Sequence, residues 1–274
     1  MIPAAFDYVE AESADAAIAA LTQHGDEAKL MAGGHSLIPL MKFRLAAPTV
    51  VVDIGRVSDM SAITDGGNHV SIGALATHRE LETSDLLKSE VPIMSAVAAQ
   101  IGDPSVRHRG TIGGSLAHGD PASDLPAALL ALGGSVIAKG PNGEREIAAE
   151  DLFTGFLETA LAPDELMTEV RVPKTGSGGW SFQKFNRRAQ DWAIVGVAAV
   201  LNGRNGVALV NMGSAPMVST AVQDALNGGA SIDDAAAVAA EGTTPPEDLN
   251  GDATYRSHLA RVLVKRALTE AGAS

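Results

Sequence analysis

The stretch LMAGGHSLIPL, residues 30–40, constrains this chain more than any other. An apolar run ends in two glycines, a histidine and a serine, and then apolar residues resume at once. A turn needs one glycine. Two, followed by polar groups, expose consecutive backbone amides with no Cβ atoms in the way. Leu37–Phe43 is expected to form a short helix with Ser36 as N-cap and Pro39 in its first turn, so that its unpaired N–H groups point at the same spot. That spot suits an oxyanion; the alternative is a tight turn with no ligand.

The arrangement recurs. RHRGTIGGSLAHGDPASDLP, residues 107–126, carries Gly110, Thr111, Gly113, Gly114 and Ser115 and is followed by a helix expected to start near Asp124. Two glycine-bearing loops with hydroxyls, each near a helix start, suit the two halves of a pyrophosphate. Recognition by dipoles needs no basic surface. That matters here, because 20 Lys and Arg against 33 Asp and Glu leave a formal charge of −13. Such a field argues against nucleic acid or an anionic membrane as partner. Neither G-x-x-x-x-G-K-[ST] nor a G-x-G-x-x-G after the first strand is present, which argues against a P-loop or an ordinary dinucleotide fold.

The chain has no cysteine. Disulfides, thiolate zinc sites, a cysteine nucleophile and a cysteine-ligated iron–sulfur cluster are thereby excluded within it. The seven histidines show neither H-E-x-x-H nor a close pair, so no metal site is expected. No apolar stretch approaches the ~20 residues of a membrane span, and no secretory signal is visible, so the expected location is cytoplasmic.

Hydrophobic residues at 46% and charged residues at 19% describe an ordered chain with room for one or two domains. FDYVE, AKLMA and TVVVDI read as strands, the last buried on both faces, and SADAAIAALTQHG reads as a helix capped by Ser13 and closed by Gly25. Strands are expected at 69–76 and in ELMTEVRVP, helices at 91–102 and 124–134, and a hairpin through Pro-Asn-Gly in SVIAKGPNGEREI. KTGSGG, residues 174–179, reads as a linker. Beyond it come three strands and then helices at 218–227, at about 231–241 and in ATYRSHLARVLVKRALTEAG, where Leu259, Val262, Leu263 and Arg266 are expected to share a face.

AGGHSLIPLMKFRLAAPTVVVDI together with GTIGGSLAHGDPASDLPAALLAL resembles the FAD-binding subunit of the molybdenum hydroxylases, the group that includes xanthine dehydrogenase and aerobic carbon monoxide dehydrogenase. The likeness extends through RRAQDWAIVGVAAVL (187–201) to the helical C-terminus, and the His35–Ser36 version is most similar to the carbon monoxide dehydrogenase type. The resemblance implies an α+β fold: a two-part FAD-binding domain of the vanillyl-alcohol-oxidase-like (PCMH) type over 1–175, with subdomains of about 1–57 and 58–175. A smaller α+β domain over 176–274, with a three-stranded antiparallel sheet, follows.

It also implies a site. Ala32, Gly33, Gly34, His35, Ser36 and Leu37 would wrap the FAD pyrophosphate, and Gly110, Thr111, Gly113, Gly114, Ser115 and Ala117 would complete the clamp. Many relatives carry asparagine where Ser115 stands. His35 reads as a phosphate donor, with a metal ligand and a satisfied loop histidine as alternatives. Asp124 would contact FAD polar groups, although a helix start also favours a carboxylate. Lys184 would lie near the flavin, where the residue alone reads as a solvated strand lysine. Asp191 and Trp192 would approach the isoalloxazine, Trp192 as a lid on one face or else as a core residue.

The implied role is electron transfer from partner iron–sulfur clusters through FAD to an acceptor such as a quinone, with no bond-making residue in this chain. The [2Fe-2S] clusters would sit on a small subunit and the molybdenum cofactor on a large one, in a dimer of heterotrimers, with peripheral association of the complex at a membrane left open. Carbon monoxide is the expected substrate. Purines, N-heterocycles, aldehydes and aromatic acyl-CoA esters are the alternatives within the family, and a non-redox ligand-binding module is the alternative outside it.

Overall fold

A computed structural model describes residues 1–272. Strand β1 (Asp7–Glu10) leads into helix α1 (Ala14–His24), whose Ser13 hydroxyl accepts the Ala16 N–H and whose C-terminus is closed by Gly25. Strand β2 (Ala28–Met31), helix α2 (Leu37–Phe43) and strand β3 (Val50–Asp53) follow. The sheet order is β1-β3-β2, all parallel. As the central strand, β3 buries Val50, Val51 and Val52 alike, which is why its sequence does not alternate.

The next part is built on a five-stranded antiparallel sheet. Its strands are β4 (Ile63–Asp65), β5 (His69–Gly73), β6 (Ser135–Gly140), β7 (Gly143–Ala148) and β8 (Leu166–Pro173), in the order β4-β5-β8-β6-β7. Between β5 and β6 run α3 (His78–Thr83), α4 (Pro92–Ala99), α5 (Ile112–His118) and α6 (Asp124–Leu132). All nine residues of α6 are buried. A helix apolar all round needs cover on every side, and α6 finds it between α4 and α5 and the sheet that follows.

That sheet comprises β9 (Gly179–Phe185), β10 (Val195–Leu201), β11 (Asn205–Val210) and β12 (Met217–Val218) in sequential order. The three expected strands are joined by a two-residue fourth, too short to show as a periodic run. Strand β10 alternates between two cores: Ala198 and Val200 join the main core, while Val195, Val197 and Ala199 face a second one. The second core is closed by α7 (Thr220–Asn227), α8 (Ile232–Ala237) and the long α9 (Ala253–Gly272). The stretch expected as a linker is strapped down: Thr175 is buried and gives both its N–H and its hydroxyl to the Glu90 carbonyl.

The buried face of α9 departs from expectation. It comprises Arg256, Leu259, Ala260, Leu263, Val264, Ala267, Leu268 and Ala271, whereas Val262 is half-buried and Arg266 is exposed. Small residues line the middle of the stripe so that the helix can lie close on β9 and β10, and a search for large apolar residues misplaces its centre. Ala260→Leu should therefore cost about 1–3 kcal/mol through overpacking. Arg266→Ala should stay within about 0.5 kcal/mol of wild type. Thermal denaturation of the two variants side by side checks the stripe.

Candidate functional site

Strand β2 delivers the chain to Ala32, and the two glycines that follow have different jobs. Gly34, at φ +74°, makes the turn. Gly33 makes a contact: a Cβ there would lie 1.9 Å from the Arg109 carbonyl oxygen. The space opened by Gly33 is thus filled by the second glycine segment and not by a ligand, which corrects the idea that both glycines bare the backbone. Ser36 occupies the cap position of α2 with φ −102° and ψ −51°, a helical conformation, and makes no side-chain cap bond. The N–H groups of Gly34, His35, Ser36 and Leu37 find no acceptor among the described residues. They lie on a half-buried stretch, with His35 exposed, at the start of α2, where a helix leaves its first N–H groups to a side chain, water or a ligand.

The second segment is a helix and not a loop. Gly113 and Gly114 lie in the first turn of α5, where the Thr111 hydroxyl accepts the Gly114 N–H at 3.1 Å. Ile112 and Gly113 donate to the carbonyls of Ala76 and Ala74. These amides are committed, so the two segments are not equivalent halves of a clamp. Gly114 is exposed, and a Cβ there would meet the Thr111 hydroxyl at 2.8 Å and the Ala32 methyl at 4.0 Å. Its bareness keeps open the surface between the two segments. The Ser115 hydroxyl pairs with that of Ser123 at 2.8 Å, which ties α5 to the start of α6.

Every residue expected at the site lines one cavity of about 540 Å³, within the roughly 300–1,000 Å³ of small-molecule and cofactor sites. Lys184 is no solvated strand lysine. Its side chain is 4% exposed, and its ammonium donates to Asp124 Oδ2 at 2.6 Å and to the Gln100 carbonyl at 3.1 Å. Burial pushes the Asp124 carboxyl above the usual carboxylate range, against the pull of Lys184. Asp124 Oδ1 is buried with no partner among the described residues. Trp192 is 59% exposed, so it is not core. Asp191 is held by Arg188 at 3.1 Å, and both Asp191 and Trp192 also line a second cavity of about 600 Å³. His35 is exposed at the edge of the first cavity, and no ion pair or hydrogen bond engages its ring among the described residues.

Sequence reasoning missed part of the lining. Leu161, Glu165, Leu166 and Met167 form a wall, and His78 lies beneath Gly110, accepting no substituent there: a Cβ on Gly110 would come within 2.7 Å of its ring. The capping box Thr77-x-x-Glu80 was legible and marks the start of α3. Nothing local, however, places its first residue at a cavity. His78 is buried with Nδ1 unpartnered among the described residues. Burial, and then the positive charges of His35 and Arg107, push its imidazole down to about 4.

Comparison with known proteins adds the following. Residues 4–175 match the family described as the FAD binding domain in molybdopterin dehydrogenase, and residues 180–271 match the CO dehydrogenase flavoprotein C-terminal domain. The chain is 39% identical over 284 residues to the carbon monoxide dehydrogenase medium chain of Hydrogenophaga pseudoflava, covering 100% of this chain and 99% of that one. It is 38% identical over 283 residues to subunit alpha of the 6-hydroxypseudooxynicotine dehydrogenase complex of Paenarthrobacter nicotinovorans, covering 99% and 96%. A solved structure of the Hydrogenophaga pseudoflava carbon monoxide dehydrogenase, in a form lacking the Mo-pyranopterin moiety of its cofactor, matches with a TM-score of 0.96 and 40% identity. It covers 100% of this chain and 99% of that chain.

Two outcomes follow from the buried charges. Lys184→Met leaves Asp124 buried and unpaired and should destabilise the fold by about 3–5 kcal/mol, whereas the double variant Lys184→Met/Asp124→Leu should recover most of that loss; melting temperatures read the difference. His78 has a folded pKa near 4, below its unfolded value of 6.5. The unfolded chain therefore binds the extra proton first, and stability should fall as pH drops from about 6.5 to about 4, by up to about 3 kcal/mol. His78→Phe should flatten the melting temperature across that window relative to wild type.

Proposed function

Because the chain belongs to the family of flavoprotein subunits of carbon monoxide dehydrogenase and related molybdenum hydroxylases, we propose that its cavity holds FAD and that it relays electrons within such an enzyme. The observation that carries the site assignment is the run of open amides from Gly34 to Leu37 at the cavity wall. Successive N–H groups in a turn form a concave donor array for phosphate oxygens. The residues present fit the group: Gly34–Leu37 would donate to the pyrophosphate, His35 would add a ring N–H, and bare Gly114 and Ala32 would leave room for its other side. Asp124 Oδ1, still in need of a donor, suits a hydroxyl or ring N–H of the cofactor, and Lys184 keeps that carboxylate in place. Trp192 would cover one face of the bound ring system.

When bound, the flavin supplies the redox chemistry, accepting electrons from a partner and passing them to an external acceptor such as a quinone. The chain itself binds, orients and shields. With no cysteine it offers no thiolate for an iron–sulfur cluster, so we assign the [2Fe-2S] clusters to a small partner subunit and the molybdenum cofactor to a large one, assembled as a dimer of heterotrimers. Carbon monoxide is our reading of the complex's substrate, oxidised on the large partner. On the same reading the FAD-binding domain ends near residue 175. No helix among the described residues is long and apolar enough to cross a membrane.

The purified chain should be yellow, with a flavin spectrum that bleaches on reduction and returns with an acceptor. Gly114→Leu should lose at least about tenfold in FAD affinity, the equivalent of ~1.4 kcal/mol, while its circular dichroism stays native. Gly33→Val should lose FAD together with fold stability, since it drives the two glycine segments apart. A Gly114→Leu protein with full FAD occupancy would sink the site assignment. A native complex inactive toward carbon monoxide but active on an N-heterocycle would reassign the substrate and leave the flavin site intact.

A further inference from the structure

The partition between the two cavities is made largely by Asp120, Asp191 and Trp192, which line both. Trp192 is mostly exposed, so its side chain is not locked by packing. Its position depends on the backbone that carries it. That backbone is bonded locally on the N-terminal side: Asp191 N–H donates to the Arg188 carbonyl, and Trp192 N–H to the Asp191 carboxylate at 3.1 Å. On the C-terminal side the tether comes from elsewhere. Ile194 N–H donates to the Phe185 carbonyl at 2.7 Å, the buried Arg256 guanidinium reaches the Ile194 carbonyl, and Asn211 Nδ2 donates to the Ala193 carbonyl at 2.9 Å and to that of Ile194 at 3.4 Å.

Asn211 does more than hold one side. Its own N–H donates to the Pro121 carbonyl at 2.7 Å, in the connection between α5 and α6 that supplies Asp120 and Ser123 to the cofactor cavity. Asn211 adopts φ +62°, in the left-handed region. Asparagine is among the few non-glycine residues that tolerate this conformation. The turn sends the N–H toward Pro121 while the carboxamide reaches the Ala193–Ile194 backbone. One residue thus bonds to both rims of the site: the rim that follows the second glycine segment and the rim that bears the tryptophan.

We infer that Asn211 is a positioning residue that sets where Trp192 stands relative to the cofactor cavity. The tether itself is a property of the polypeptide; only its effect on a bound flavin rests on the function proposed above. Substitutions separate its two bonds. Asn211→Gly keeps the left-handed backbone and the bond to Pro121 but removes the donor to Ala193 and Ile194. Asn211→Asp keeps the shape and sets a carboxylate against two carbonyl oxygens.

The experiment uses the full chain with Trp180→Phe as background, which leaves Trp192 as the one indole of the two in the sequence. Without FAD, acrylamide quenching of Trp192 emission should rise by about half in both variants with native circular dichroism, and the melting temperature should fall by about a few degrees, further in Asn211→Asp than in Asn211→Gly. With FAD bound, flavin emission should also rise by about twofold, because a displaced indole quenches less, and occupancy should be retained. Unchanged Trp192 quenching in Asn211→Gly would overturn the inference. A fall in melting temperature with no change in Trp192 would overturn it as well, since that describes a merely structural asparagine. If the chain fails to take up FAD at all, the flavin-free quenching still decides the role of Asn211, and only the cofactor reading falls.

Discussion

The contact between Gly33 and the Arg109 carbonyl is the constraint on which the rest of the site depends. A methyl group at residue 33 would sit 1.9 Å from that oxygen, so not even alanine fits without the two segments moving apart. The contact joins the end of the parallel β1-β3-β2 sheet to the helical connection above the five-stranded sheet. Neighbouring bonds extend the junction, with His78 N–H donating to the Gly110 carbonyl and Thr77 bridging to Thr111. The cavity is the hollow left where these pieces meet. Glycine is required there for the packing of protein on protein, and the segment Gly34–Leu37, whose amides are open, lines the hollow as a result.

The C-terminal sheet closes the site through polar bonds made in buried surroundings. Lys184 on β9 reaches Asp124 at the start of α6, and Asn211 at the end of β11 reaches Pro121 just before it. A buried ion pair adds little over a well-packed apolar pair, yet removing one partner is costly. Such a bond fixes geometry more than it adds stability. Apolar packing of α6 against β10 and β11 allows sliding by fractions of an ångström; a 2.6 Å charged hydrogen bond does not. The first bond lies at the candidate site's cavity and the second at the neighbouring one, where the relative placement of the two halves has consequences for a ligand.

Much of this was legible in the chain, and the parts that were not share a cause. Caps and periodicity placed α1 between Ser13 and Gly25 and the middle strand at Val50–Val52, because those signals are local. The residues expected at the site came from two glycine motifs and a family likeness, and they line one cavity. What each residue does there was less visible. Gly33 and Gly34 look alike in sequence, yet one serves a long-range contact and the other a turn. The GTIGGS segment reads as a loop because glycine disfavours helix, but the Thr111 cap and the seat on Ala74 outweigh that preference. Lys184 reads as surface because its partner is 60 residues distant. His78 and Asn211 carried no signal, since their importance lies wholly in what tertiary structure brings beside them.

The division of labour between the two glycine segments suits an acidic protein. A chain with a formal charge of −13 cannot attract a pyrophosphate by its overall field. On the function proposed, backbone dipoles solve the problem locally. Four oriented N–H groups act over the short range at which net charge matters less than direction, and they need no reorganisation when an anion arrives. The second segment contributes absence: the amides of Ile112, Gly113 and Gly114 are taken by Ala76, Ala74 and Thr111, and bare Gly114 leaves room beside the first segment. Lys184, the cation buried at the site, is already engaged by Asp124, so the pair adds no net charge. Recognition then depends on shape and amide direction, which explains why a glycine contact, and not a basic cluster, is the feature that the architecture protects.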